Sequence, residues 1–168
     1  MDFRLRPAEP ADIAAISEIY NQAVLNTTAS YDDEPEPLAV REAWFYDHEA
    51  AGYPVLVAET TGDEPRVVGW GSLGEFRHKT GYRYTVENSI YIAEEARGRG
   101  IGKSMLAALI DEARHMKMHL IVAGIDSEAA VSLHLHEKAG FVKAGYIPEV
   151  GQKFGRWLDC VFMSLRLE

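Results

Sequence analysis

Residues 85–103 read TVENSIYIAEEARGRGIGK. The first half alternates. Val86, Ile90 and Ile92 fall on one side at a period of two, with Asn88 as the polar exception; Thr85, Glu87, Ser89 and Tyr91 fall on the other. The second half is Arg97-Gly98-Arg99-Gly100-Ile101-Gly102-Lys103, and after it Ile101, Met105, Leu109, Ile110 and Ala113 recur at helical spacing. The order is strand, short acidic turn, glycine-rich loop, helix. The first N–H groups of a helix lack intrahelical partners and sit at the positive end of its dipole. Glycines remove the Cβ atoms that would keep an anion away. Arg97, Arg99 and Lys103 add positive charge in a chain of net charge −9. The expected ligand is a phosphate, most simply a pyrophosphate.

The spacing Gly98, Gly100, Gly102 is not the G-x-G-x-x-G of a dinucleotide fold, and Gly98 to Lys103-Ser104 is one residue short of a P-loop. It fits the R/Q-x-x-G-x-G/A coenzyme A loop of the GNAT N-acetyltransferases, which that segment resembles.

Outward from this segment, 168 residues suit a single domain over residues 1–168 with one sizeable core. Apolar residues are 47% and charged residues 26%, which describes an ordinary globular chain. No apolar run reaches the ~20 residues of a membrane span, and MDFRLRPAEP lacks the apolar stretch of a signal peptide. One cysteine, Cys160, allows no internal disulfide, which fits a cytoplasmic protein; set in an apolar strand, it reads as a buried structural thiol. The acidic balance argues against nucleic acid as a partner.

Along the chain, Phe3 to Arg6 is a short strand. Pro10 opens a helix whose buried face is Ile13, Ile16, Tyr20, Ala23 and Val24. A polar loop, 26–37, precedes a second helix carrying Val40, Trp44 and Phe45. Pro54–Glu59 and Val67–Phe76 form a hairpin. The continuous run Leu120–Ile125 is a strand covered on both faces. Asp126 or Ser127 caps the next helix, which ends at Gly140. Phe141–Ile147 is a strand, Pro148–Gly155 a loop, and the last strand places Trp157, Asp159, Val161, Met163, Leu165 and Leu167 on one side. The fold class is α/β (α+β), with a mixed sheet.

Further blocks extend the resemblance to nearly the whole chain: Glu18-Ile19-Tyr20-Asn21, residues 52–57, residues 82–87, Leu135-His136 with Ala139-Gly140-Phe141, and residues 150–159, VGQKFGRWLD. The chain is similar to GNAT acetyltransferases, and within them to the branch that acetylates phosphinothricin and methionine sulfoximine. The resemblance implies a sheet of about seven strands, splayed where the fourth leaves the fifth, flanked by about four helices. It implies acetyl-CoA in that gap. The pantetheine arm would lie along the backbone of Ile90, Tyr91 and Ile92, and the pyrophosphate on the N–H groups from Gly98 to Lys103. It also implies a homodimer, in which Lys153, Phe154 and Arg156 complete a neighbouring pocket.

Acetyl transfer to an amine needs a proton acceptor, an oxyanion donor and a proton for the leaving thiolate. Glu87, a carboxylate among β-formers, matches the family's catalytic glutamate. His136 occupies the helix site where many acetyltransferases carry a tyrosine that protonates the sulfur; the other reading is a histidine hydrogen-bonded inside the helix packing. His134, two residues away, points elsewhere. Ala129 stands where the family has an asparagine that bonds the pantetheine, so that contact is lost or taken over by water or Glu128. A small amino-acid analogue with an anionic or polar head group needs cations and donors: Arg77, His78, Lys79, Arg83 and Asn88 lie on the approach to Glu87, and Tyr31 could wall the pocket. The histidines have no metal-ligand spacing, and no metal is assigned. The expected reaction is acetylation of the α-amine of such an analogue. The alternatives are another amine (amino acid, polyamine or protein N-terminus) or a non-catalytic acyl-CoA-binding module.

Overall fold

In a computed structural model that describes residues 2–168, the elements follow the order β1 (Phe3–Pro7), α1 (Ile13–Asn26), α2 (Leu38–Ala51), β2 (Val55–Thr60), β3 (Val67–Glu75), β4 (Thr85–Ile92), α3 (Ile101–His115), β5 (Leu120–Asp126), α4 (Ala130–Lys138), β6 (Val142–Lys153) and β7 (Arg156–Arg166). They build one sheet of order β1-β2-β3-β4-β5-β7-β6. All neighbours are antiparallel except β4 and β5. A parallel neighbour requires a crossover, and α3 supplies it. The expected mixed sheet and the β2–β3 hairpin are both present.

The two faces of the sheet bury different cores. Ile13, Ile16, Tyr20, Val24, Phe45, Val57 and Trp70 pack together, with α1 and α2 over β2 and β3. Val86, Ile121, Ala123, Val161 and Met163 pack against Met105, Leu106 and Leu109 of α3 on the other face. Alternation along β4 therefore sends Glu87, Ser89 and Tyr91 toward α1 and α2, and Val86, Asn88, Ile90 and Ile92 toward α3 and α4.

Three local expectations are corrected. Residues 148–153 continue β6 rather than forming a loop. The register jumps from Ile147 opposite Cys160 to Gly151 opposite Leu158, and Glu149, at φ +50°, gives its N–H to Asp159 Oδ1 at 2.8 Å. The proline and glycines that suggested a loop are absorbed by this bulge. Neither Asp126 nor Ser127 caps α4, which starts at Ala130 with no side-chain cap; Asp126 Oδ1 instead takes the N–H of Glu128 at 3.2 Å. In β7 the buried side changes along the strand. Trp157 is exposed while Leu158 and Cys160 are buried; from Val161 on, the expected set meets the α3 core.

Candidate active site

β4 and β5 pair only at Thr85–Leu120, Val86–Ile121 and Glu87–Val122. Beyond Glu87, β4 stays on β3 as far as Ile92, and β5 stays on β7 as far as Asp126. The sheet forks there, and Asn88–Ile92 has no strand on its β5 side. Glu87 stands at the branch point. Its carboxyl leans toward β5: a Cβ added at Gly124 would lie 3.5 Å from Glu87 Oε1 and 3.7 Å from Cys160 Sγ. Burial pushes the Glu87 carboxyl up from its ordinary range, and Arg77 partly offsets this. Cys160 is buried, as expected, and burial raises its thiol too.

The glycine-rich loop leads from the fork into α3. Gly98 and Gly100 take left-handed backbone at φ +73° and +83°. Gly100 is the N-cap of α3, and its carbonyl already accepts from Ser104 N. The N–H groups of Ile101, Gly102 and Lys103 then open the helix without intrahelical partners. The Ile101 side chain is in the core, so its part in any anion site is its backbone N–H. Arg99 and Lys103 are exposed, and Arg97 folds back to give its Nε–H to the Ile92 carbonyl at 3.1 Å.

His136 lies on the far side of the sheet from Glu87. Its Nδ1–H donates to the Ser132 carbonyl at 2.8 Å, so its Nε2 accepts from Asn88 Nδ2 at 3.0 Å. Burial holds the imidazole below its ordinary pKa, hence neutral. In this arrangement neither ring nitrogen has a proton to give toward Glu87. Asn88, expected beside the substrate, is turned with it into the α4 contact, and its Oδ1 is buried without a partner. His134 is exposed.

Of the cations expected near the substrate, Arg77 is the one Glu87 feels. It is exposed, folded over the Phe76 ring and donating to the Phe76 carbonyl. His78 pairs with Glu75, Arg83 donates to the Thr80 carbonyl, and Lys79 is exposed. Tyr31 lies against the β6–β7 hairpin. Its ring packs on Gly151, where a Cβ would come within 2.6 Å, and its hydroxyl donates to the Asp159 carbonyl at 3.3 Å. Burial, with Asp126 nearby, pushes this phenol up to about 12.

Lys153 is 2% exposed and donates to the carbonyls of Thr27 and Ser30 at 2.9 and 2.7 Å, within its own chain. It fastens the α1–α2 loop, with Tyr31, to the β6–β7 hairpin. Arg156 pairs with Glu128, so Glu128 is engaged beside Ala129. Phe154, at the turn, is exposed.

Two features escaped the sequence reading. Arg41 is buried with its guanidinium over Tyr20, Trp44 and Trp70 at 4.2, 4.5 and 5.2 Å, and its Nε bonds Glu36 Oε1 at 2.5 Å. It ties the loop and both helices to the Glu87 face. Its one sequence signal was a cation at helical spacing from Trp44 and Phe45. The other feature is Asp126, read only as a cap; it is buried at the end of β5.

The profile of the Acetyltransferase (GNAT) family matches residues 15–141. The chain is 49% identical over 164 residues to the L-amino acid N-acyltransferase MnaT of Escherichia coli, covering 98% of this chain and 94% of that one. It is 47% identical, over the same shares of each chain, to the L-methionine sulfoximine/L-methionine sulfone acetyltransferase of Salmonella typhimurium. The solved structure of yncA from Salmonella typhimurium with its cofactor acetyl-CoA superposes with a TM-score of 0.95 at 46% identity, over 100% of this chain and 95% of that one. The fork, the glycine-rich helix start and these similarities converge on one assignment: the chain belongs to the GNAT acetyltransferase family.

Proposed function

We propose that this protein transfers the acetyl group of acetyl-CoA directly to the α-amine of a small amino-acid analogue of the methionine sulfoximine, methionine sulfone or phosphinothricin type. The observation that carries the reading is the fork: it opens at the residue whose carboxyl is held above its ordinary pKa. The open edge of β4, at Ile90, Tyr91 and Ile92, offers main-chain hydrogen bonds to the pantetheine arm. The free N–H groups at the start of α3, with Arg99 and Lys103, suit the pyrophosphate.

Glu87 takes a proton from the acceptor's ammonium, directly or through one water, because only the neutral amine can attack a thioester. The amine nitrogen then bonds to the carbonyl carbon. The nitrogen, now bonded to carbon, gives up its second proton; as the tetrahedral oxyanion collapses, the carbon–sulfur bond breaks and the leaving thiolate takes up a proton. His136 serves in this reading as an internal strut, since both its nitrogens are engaged. Arg77 and the wall at Tyr31 face the rest of the acceptor, and Arg77 suits a carboxylate or phosphinate.

The β6 edge and its turn expose Val142, Tyr146, Ile147, Val150, Phe154 and Trp157. This apolar strip favours a homodimer, which sedimentation velocity would register as twice the chain mass. The single reduced cysteine favours a cytoplasmic setting.

The deciding experiment is a thiol-release assay with acetyl-CoA and a panel of amines. The expected result is release with methionine sulfoximine, methionine sulfone, phosphinothricin and related L-amino acids. Preference for polyamines or peptide N-termini would overturn the acceptor class. Tight acetyl-CoA binding without release for any amine would leave a binding module.

A further inference from the structure

We propose that Asp126 is a second substrate-contacting carboxylate, one that holds the acceptor's ammonium group beside Glu87. The proposal rests on the acetyltransferase reading above and goes one residue beyond it.

Asp126 is 5% exposed, yet its two oxygens fare differently. Oδ1 takes the N–H of Glu128, while Oδ2 is buried with no hydrogen-bond partner. A buried oxygen left unpaired costs about 1–3 kcal/mol, more if charged. Among the described residues no lysine or arginine pairs with it. A ligand can supply the donor this oxygen lacks within the chain, and for a carboxylate oxygen the best donor is a cation.

The placement says which cation. Val122, Gly124 and Asp126 alternate onto one face of β5, and Val122 is the register partner of Glu87. Asp126 sits opposite Cys160, and the Cys160 thiol feels both Glu87 and Asp126. The two carboxylates thus share a face with Cys160 between them, in the half of β5 that β4 has left. Gly124 to Asp126 is about 7 Å along a strand, and Glu87 Oε1 already leans over Gly124. A nitrogen donating to both carboxylates at ~2.9 Å each spans about 6 Å. An ammonium has three N–H bonds: it gives one proton to Glu87 and donates another to Asp126 Oδ2, and the neutral amine, still held by Asp126, then turns its freed lone pair from Glu87 to the acyl carbon. A second carboxylate also favours capture of the protonated amine, the abundant form at neutral pH.

The test is Asp126→Asn, which keeps the acceptor for Glu128. KM for the amine, kcat, the acetyl-CoA Kd and the Ki of the des-amino analogue of the same acceptor are measured beside wild type. The expected result is a KM at least about tenfold higher, the scale of one charge-assisted hydrogen bond, with acetyl-CoA Kd and the des-amino Ki unchanged. A KM within twofold of wild type overturns the proposal. So does an equal loss in the des-amino Ki, which would mark a structural role, or weakened acetyl-CoA binding alone, which would make the missing donor an amide of that molecule. Should Asp126→Asn not fold, Asp126→Ser, which removes the charge but keeps an oxygen acceptor, carries the test, and an unchanged KM there overturns the proposal as well. A wild-type protein that acetylates no amine would sink both this inference and the reading beneath it, whereas an active wild type with an indifferent Asp126→Asn sinks this one alone.

Discussion

Glu87 and Asn88 are neighbours in sequence and opposites in use. Both interrupt an apolar strand, and alternation sends them to opposite faces. Asn88 meets His136 under α4, where a neutral imidazole and an amide satisfy each other in part. Among the described residues Glu87 has no side-chain hydrogen-bond partner; it faces Gly124, Cys160 and the open fork. Polarity in a strand is thus no guide to catalysis until the face is known. On the closed face a polar group acts as a packing joint, and on the forked face it stays available to a substrate.

The sharpest way to break this contrast is Glu87→Gln. It should lower kcat at least ~100-fold, the scale of a lost acid–base group, while the acetyl-CoA Kd measured by calorimetry stays put. The pH dependence has a definite sign. Protonated Glu87 cannot accept a proton, so kcat/KM should climb as pH rises through its raised pKa, above the ordinary carboxylate value of 4.5. Stability should run the other way. Between the ordinary and the raised pKa the native state binds more protons than the unfolded one, so stability falls as pH rises there. At neutral pH the native protein holds an unfavourable buried charge. Glu87→Gln should therefore melt at a higher temperature than wild type at pH 7, and an inactive variant that also melts lower would point to damage rather than chemistry.

Lys153 tests whether the Glu87 face depends on its walls. Burial lowers this lysine's pKa, and its two carbonyl contacts hold the loop that carries Tyr31. Lys153→Met should cost about 1.5–3 kcal/mol in denaturant unfolding and raise KM for the amine more than it lowers kcat. Unaltered KM would show that the loop holds its place without the anchor. On the closed face, His136→Phe leaves the Asn88 amide unpaired and should cost about 1–3 kcal/mol of stability. Its kcat should stay within about threefold of wild type, because no proton transfer is lost. A fall of two orders of magnitude would return His136 to the chemistry.

The strand–loop–helix unit at 85–115 was legible because its signals are local: period two, glycines at alternate positions, then period 3.6. The side of the strand on which Glu87 falls was legible for the same reason, whereas its role as a base came only from the family resemblance. The depth of the fork was not legible, since it depends on where pairing between β4 and β5 stops, a fact that belongs to both strands. The contact of Asn88 with His136 was not legible, because adjacency to Glu87 in sequence does not put the two side chains on one face. The 148–153 segment looked like a loop because a bulge uses the same residues as a turn. Arg41 and Asp126 were hard to single out for a common reason: what marks them is burial, and a spacing such as that of Arg41 to Trp44 does not report burial.

The smallest expected effect concerns Ala129. It is the N-cap of α4, with no side-chain cap bond, and it stands where related enzymes are expected to offer an amide to the pantetheine. Ala129→Asn would restore such a donor and should tighten acetyl-CoA about fivefold, roughly 1 kcal/mol. The same asparagine can also cap the helix, worth ~0.5–2 kcal/mol of stability. Calorimetric Kd and melting temperature separate these. A higher melting point with an unchanged Kd means that the new amide turned to the helix and not to the fork. A tighter Kd means that α4, besides covering the closed face, also borders the donor's path, so that the two faces meet at that one position.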